Sequence, residues 1–309
     1  MDLVTGVVFF IKYLIEICYF ENAQINQFKK QLFNYLFIHM KVCICGTIKN
    51  VGNYLTSIFQ NMEKIGTFFD DYVILLYYDH STDNTLEQLM TYQKNNPKMF
   101  FYVNRSPLFP YRTHNIAKGR NYCLKMINLY YKDYEYFIMM DCDDVCAGTL
   151  NENVLKYSLS IKDYWDALSF NKKDYYDIWA LSISPYLVSM RHFHNIDNGE
   201  KEMKNYITNI LNNKPKNKLV KCLSAFNGFA IYKSSIFLNS IYDGGLRLDL
   251  IPKKKIKWNQ LILKDKIKYV YKGDSENSIY EDCEHRSFHA LAVNKYNAKI
   301  RISPLILFD

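Results

Sequence analysis

Two apolar runs of strand length, YVILLYY at 72–78 and YFIMM at 136–140, limit what this chain can become. Neither alternates polar with apolar residues. A strand that is apolar on both faces must be covered on both, and a parallel sheet flanked by helices does this. KVCIC at 41–45 predicts a short buried strand ending at Gly46 and Thr47. Leu55, Ile58, Phe59 and Met62 recur at helical spacing within 53–64. Residues 79–84 are a polar break in which Thr82 or Asp83 would cap a second helix, with Leu86, Leu89 and Met90 inward. Residues 99–103 predict a third strand, 116–131 a helix, and 136–140 a fourth strand ending in Asp141-Cys142-Asp143-Asp144. Strands and helices in this alternation predict an α/β fold with a mainly parallel sheet. Such sheets bind ligands beyond the carboxyl ends of their strands, where each of these polar clusters falls.

The second half is less regular. Residues 165–170 and 178–184 predict strands around a loop at 171–177, residues 198–215 a polar helix and loop, and 299–302 a last strand. At the other end, residues 3–20 are apolar apart from Lys12 and Glu16. They lack the leading positive charge and small-residue cleavage site of a secretory signal. A spanning helix would bury both charges in hydrocarbon, so a packed amphipathic helix is preferred. Because Met40 opens a strong strand, residues 1–39 are expected to be a helical extension on a core that starts near 40.

A composition of 49% hydrophobic and 23% charged residues excludes disordered and collagen-like chains. The formal charge of +8 favours an anionic partner such as a nucleotide, a phosphate or an acidic membrane surface. No nucleic-acid-binding motif accompanies that charge, which is dispersed. The eight cysteines include no CxxC pair, and several lie in or beside apolar runs. Buried, reduced thiols of a cytoplasmic protein are therefore expected rather than a disulfide framework.

Asp141, Asp143 and Asp144 crowd the end of the fourth strand. Three carboxylates so close repel one another unless a cation sits among them. Mg²⁺ or Mn²⁺ takes oxygen ligands and keeps phosphate oxygens in its shell, so the cluster predicts a clamp for a metal and a diphosphate. The alternative is a solvated turn that starts a helix. Elsewhere, His192 and His194 lack a nearby third ligand and read as loop. The lysines at 253–257 read as a solvated face that could touch anionic lipid.

In order along the chain, KVCICGTIKNVGNYL, VILLYYDHSTDNT, HNIAKGRNYCL and FIMMDCDDV resemble segments of GT-A glycosyltransferases of the family 2 type. SAFNGFAIY and YEDCEHRSFH extend the resemblance more loosely. RTHNIAKGRN, YYDIWALS and the Asn-Gly segment are also similar to capsule-associated mannosyltransferase-like proteins and to related proteins of large DNA viruses. The resemblance implies a GT-A (Rossmann-like) fold in which residues 40–150 bind the nucleotide-sugar and 151–309 hold the acceptor and catalytic residues. It implies a metal-dependent transfer of sugar from a UDP- or GDP-sugar to a hydroxyl on a glycan, protein or lipid, with Mn²⁺ or Mg²⁺ as cofactor.

Residue by residue, the resemblance places Asp79 at the base or ribose. Thr47, Lys49 and Asn50 would line the base pocket or form an ordinary helix start. Arg120 and Asn121 sit at an Arg-Asn pair of the family, and Arg120 is preferred to Arg112 and Lys118 for phosphate contact. Asp282 would be the base of an inverting reaction, with Glu281 its substitute. His285 and His289 share a helical face and would complete the metal shell begun by Asp141 and Asp143. Asn227-Gly228 would let the backbone approach the sugar or form a plain turn. A retaining mechanism would remove the role of Asp282. Two rival readings are a Mg²⁺-dependent nucleotidyltransferase, for which GTIKNVG is a poor phosphate loop, and a non-enzymatic nucleic-acid-binding protein. A sugar-binding module without catalysis is a third, against which the intact Asp141, Asp143 and Asp282 argue.

Overall fold

A computed structural model of the chain describes residues 40–269 and 281–309, so the helix expected in 1–39 lies outside the described residues. Four parallel strands, β1 (Lys41–Ile48), β2 (Asp71–Tyr78), β3 (Met99–Val103) and β4 (Tyr136–Asp141), stand in the order β3-β2-β1-β4. They are joined by α1 (Leu55–Gly66), α2 (Thr85–Asn95) and α3 (Arg112–Tyr130). α1 buries Leu55, Ile58, Phe59, Met62 and Ile65, the stripe its spacing predicted.

β1 does not end at Gly46. It runs on to Ile48 because Thr47 pairs with Tyr77 on one side and Asp141 on the other. Where α3 crosses these strands, a Cβ on Gly119 would lie 2.7 Å from both Thr47 and Tyr77, so only glycine allows this approach. α3 also begins four residues before its predicted start. Its polar first turn hides a buried Thr113, whose side chain is satisfied by tertiary partners at Gly244 and Glu281.

Beyond β4 the pairing changes. The elements are α4 (Glu152–Ser160), β5 (Ala167–Asn171), α5 (Ile196–Asn213), β6 (Val220–Lys221), β7 (Phe229–Lys233), α6 (Ser234–Phe237), α7 (Lys253–Leu263), α8 (Glu284–Tyr296) and β8 (Ile300–Ile306). β7 is antiparallel to both β4 and β5, β8 is parallel to β5, and β6 is antiparallel to β8. The full order is β3-β2-β1-β4-β7-β5-β8-β6. The fold is thus α/β, parallel from β3 to β4 and mixed beyond.

The strand predicted at 178–184 is not one. That stretch makes only isolated bridges, Ser182 to Ser224 and Ile183 to Tyr186. Asp177 accepts the Ala180 amide at 3.0 Å and turns the chain there. Behind the sheet, Phe137 stacks on Tyr232 at 4.9 Å and Tyr242 on Phe288 at 3.9 Å. The cysteines conform to expectation: the seven described are free, and all but Cys222 are buried.

Candidate active site

The carboxyl ends of β1, β2 and β4 meet at one rim. The loop after β1 holds Asn50 in the left-handed region (φ 53°). Its successive amides are already taken: Asn50 N–H by Ser81 Oγ, Val51 N–H by Thr85 Oγ1 and Gly52 N–H by Asp83 Oδ2, each at 2.9 Å. Asn50 Oδ1 in turn accepts the Thr82 amide at 2.8 Å. Asn50 thus ties the β1 and β2 loops together. These engaged amides are not free to cradle a phosphate. Lys49 is exposed and Thr47 half-buried. Asp79, at the end of β2, accepts from Asn104 Nδ2 at 2.7 Å, and Asn104 Oδ1 accepts from Lys118 Nζ at 3.2 Å.

Asp141 closes β4 with its side chain 24% exposed. Oδ1 accepts from Arg120 Nη2 at 2.9 Å and Oδ2 from the Tyr176 hydroxyl at 2.8 Å. Asp143 is different. It accepts the Val145 amide at 3.1 Å and has no ion pair among the described residues. Burial, reinforced by the charge of Asp141, pushes its carboxyl up to about 6. Asp144 beside it is exposed.

Asp177, which sequence reasoning missed, accepts the amides of Ala180 at 3.0 Å and Asn227 at 3.2 Å. Burial, with Asp141 among the charges opposing ionisation, pushes it up to about 6 as well. Its signal was the polar residue within YYDIWALS. Asn227 (φ 56°) donates to Phe170 O at 3.0 Å and accepts the Asp177 amide at 3.2 Å. Asn227 thereby shapes the 171–177 loop. Gly228 (φ 88°) makes the tight crossing, since a Cβ there would fall 2.3 Å from Val145.

The residues of α3 and α8 face one another. Arg120 is buried, with Nη1 donating to Glu284 Oε1 and to His285 Nε2 while Nη2 holds Asp141. Burial opposes its charge, but Glu284 and Asp141 outweigh burial and keep it protonated. Its guanidinium lies 4.7 Å from the Phe226 ring centre. Arg120, the residue expected at the phosphate, thus grips two protein carboxylates. Asn121 is likewise engaged, donating to Tyr242 O and accepting the Tyr242 amide, both at 2.8 Å. Arg112 is exposed at the start of α3.

The two histidines expected to complete a metal shell are engaged by protein groups. His289 is hydrogen-bonded to Ser224 Oγ at 2.9 Å and Tyr232 OH at 3.1 Å. His285 stacks on Phe226 at 3.7 Å and meets Arg120. Burial lowers both imidazoles, His289 to about 3. Their shared face looks into the core. No three His, Cys, Asp or Glu side chains among the described residues are placed to hold an ion.

Asp282, the expected base, is engaged within the protein. Its side chain is 5% exposed, Oδ1 accepts the Cys283 amide at 2.8 Å, and Oδ2 lies 3.0 Å from Arg286 Nε. Arg286 then donates to the carbonyls of Trp179 at 2.6 Å and Leu181 at 3.0 Å. Glu281, with 18% of its side chain exposed, lies 3.2 Å from the Thr113 hydroxyl and 3.7 Å from Arg191.

No family model and no curated protein matches the chain. Among solved structures, it is similar to S. aureus TarS 1-349 in complex with UDP (15% identity, TM-score 0.45), over 87% of this chain and 59% of that one. It is also similar to the same protein in complex with UDP-GlcNAc (16% identity, TM-score 0.42), over 87% of this chain and 57% of that one. A mannosyltransferase from Pyrobaculum calidifontis in complex with GDP-Man and Mn²⁺ is similar over 47% of this chain and 40% of that one (13% identity, TM-score 0.34). The chain spans less than three-fifths of the length of the TarS 1-349 structures it matches.

Proposed function

We propose that the chain is a GT-A-type glycosyltransferase that moves a sugar from a UDP- or GDP-sugar to a hydroxyl acceptor on a glycan, protein or lipid. One observation carries this reading. Asp143 stands at the carboxyl end of a parallel strand, next to Asp141 and Asp144, partly buried and without a cation of the protein's own. Repulsion there is relieved by a ligand that brings positive charge. Mg²⁺ or Mn²⁺ in such sites uses one or two carboxylates and completes its shell with diphosphate and water, so a cage of three side chains is not needed.

Asp143 would hold the ion with Asp141 beside it, and the bound metal would offset diphosphate charge as the leaving group departs. Asp141 contributes orientation, since Arg120 and Tyr176 fix both its oxygens. Asp79 and Lys49 are the remaining donor-side contacts, and Arg112 and Lys118 supply cations along α3. Glu281 takes the role of base from Asp282. It is the more accessible of the two and is not paired with Arg286. It would accept the acceptor's hydroxyl proton as that oxygen attacks the sugar carbon. Residues 40–150 would then bind the donor and 151–309 the acceptor.

Calorimetry with UDP and GDP tests the reading. Binding should strengthen with Mn²⁺, and Asp143→Ala should lose that gain. Equal nucleotide affinity with and without metal in both proteins would sink the proposal.

A further inference from the structure

α7 carries a face that the proposed reaction does not use. Ile256, Asn259 and Leu263 form its inner side: Asn259 and Leu263 are buried, and Ile256 joins a cluster with Val188, Leu248 and Ile251. Tyr269 OH fixes the helix from behind by donating to Ile256 O at 2.9 Å. On the opposite side Trp258, Leu261 and Ile262 stand at i, i+3 and i+4 and are all exposed, Leu261 by 67%. Three large apolar side chains on one helical face are costly to leave in water.

The charge on this helix is as unusual as its apolar face. Four of its first five residues are Lys253, Lys254, Lys255 and Lys257, and its first turn has no acidic residue. Cations at a helix N-terminus oppose the helix dipole. Among the described residues no ion pair offsets them. Lys264, Lys266 and Lys268 follow, with Asp265 the one acidic residue from 253 to 268. Among the described residues only Lys266 of these is in an ion pair, with Glu202 at 3.0 Å.

We propose that α7 docks this protein on an anionic lipid bilayer, with Trp258, Leu261 and Ile262 entering the interface and Lys253, Lys254, Lys255 and Lys257 meeting lipid headgroups. A helix with a tryptophan-containing apolar face rimmed by lysine has the pattern of one lying in the membrane plane. The composition separates this occupant from its rivals. Lysine is depleted in protein interfaces, where arginine is enriched, and α7 contains no arginine. A second copy of the chain would bring the same positive charge against it. Among the described residues no helix is long and apolar enough to cross a membrane, and docking in the surface plane needs none. This inference does not depend on the sugar-transfer reading.

The test is sedimentation of the full chain with vesicles of phosphatidylcholine alone or of three parts phosphatidylcholine to one part phosphatidylserine. Binding is expected only with phosphatidylserine and should weaken as salt is raised. Replacing all four lysines, Lys253→Gln, Lys254→Gln, Lys255→Gln and Lys257→Gln, should cut the partition coefficient at least about a hundredfold, since each contributes roughly a factor of five. Leu261→Ser with Ile262→Ser should lower it about tenfold or more. Both variants alter exposed side chains, so unchanged melting temperatures would show that the fold is retained. Equal binding to both vesicle types, no binding to either, or wild-type binding by the lysine variant would overturn the proposal. So would a wild-type dimer, seen by light scattering, that either variant abolishes.

Discussion

The acidic cluster at 141–144 and the one at 281–284 look alike in the sequence, yet the fold treats them in opposite ways. In the second, Asp282 and Glu284 are each 5% exposed and each faces an arginine, Arg286 and Arg120. In the first, Asp143 has no arginine or lysine partner among the described residues, and burial leaves its carboxyl reluctant to ionise. Charge that the protein neutralises internally holds elements together. Charge that it leaves unpaired at a strand end is a binding energy in waiting. Arg120 joins the two clusters, with one nitrogen on Asp141 and the other on Glu284.

The contrast can be broken at several points. The largest effect is expected at Glu281. Glu281→Gln should lower kcat for sugar transfer by about 10²–10⁴ while leaving nucleotide affinity intact. If Asp282→Asn does this instead, with undiminished stability, the two neighbours have been assigned the wrong way round.

Arg120→Met should come next. It leaves Asp141 and Glu284 facing each other without their shared cation, and removing one partner of a buried ion pair costs about 3–5 kcal/mol. Denaturant unfolding reads this directly, and a loss below about 1 kcal/mol would mean that the bridge is dispensable.

A smaller effect concerns pH. The folded pKa of Asp143, about 6, lies above its ordinary 3.8, so the folded chain binds the proton more tightly than the unfolded one. Its contribution to stability is therefore greatest in acid and declines as pH rises through about 4 to 6. Mn²⁺-dependent nucleotide affinity should move the other way, rising across that window as metal displaces the proton. Calorimetry on either side of pH 6 checks this, and Asp143→Asn should flatten the profile. The smallest effect is the stability of Asp143→Asn itself. It keeps the acceptor for Val145 N–H and removes an opposed charge, so its melting temperature should match or slightly exceed that of the wild type.

How much of this was legible in the sequence depends on the range of the interaction that decides each feature. β1 to β4 could be read because each strand declares its burial in its own residues, as YVILLYY does. β7 could not, because its antiparallel place between β4 and β5 is set by partners far along the chain. The carboxylate cluster at the end of β4 was legible, but the partners of each side chain around it were not. Arg120 and Glu284 are 164 residues apart, and nothing local to Arg120 says that its charge is spent on a carboxylate. Asn50, Asn121 and Asn227 taught a related lesson. Each stands beside the proposed site and resembles a ligand-binding residue, yet each satisfies backbone groups that the loops would otherwise leave unpaired.

The buried cysteines have a practical corollary. Burial raises the thiols of Cys43, Cys45, Cys142, Cys146 and Cys283. Because the thiolate is the nucleophile, an alkylating reagent at neutral pH finds these positions silent while the sheet is closed. Cys45 and Cys142 sit in and just beyond β1 and β4, beneath the rim where donor binding is proposed. Their rate of labelling thus counts openings of that part of the sheet, and a donor that binds the rim should slow the count without touching a single sulfur.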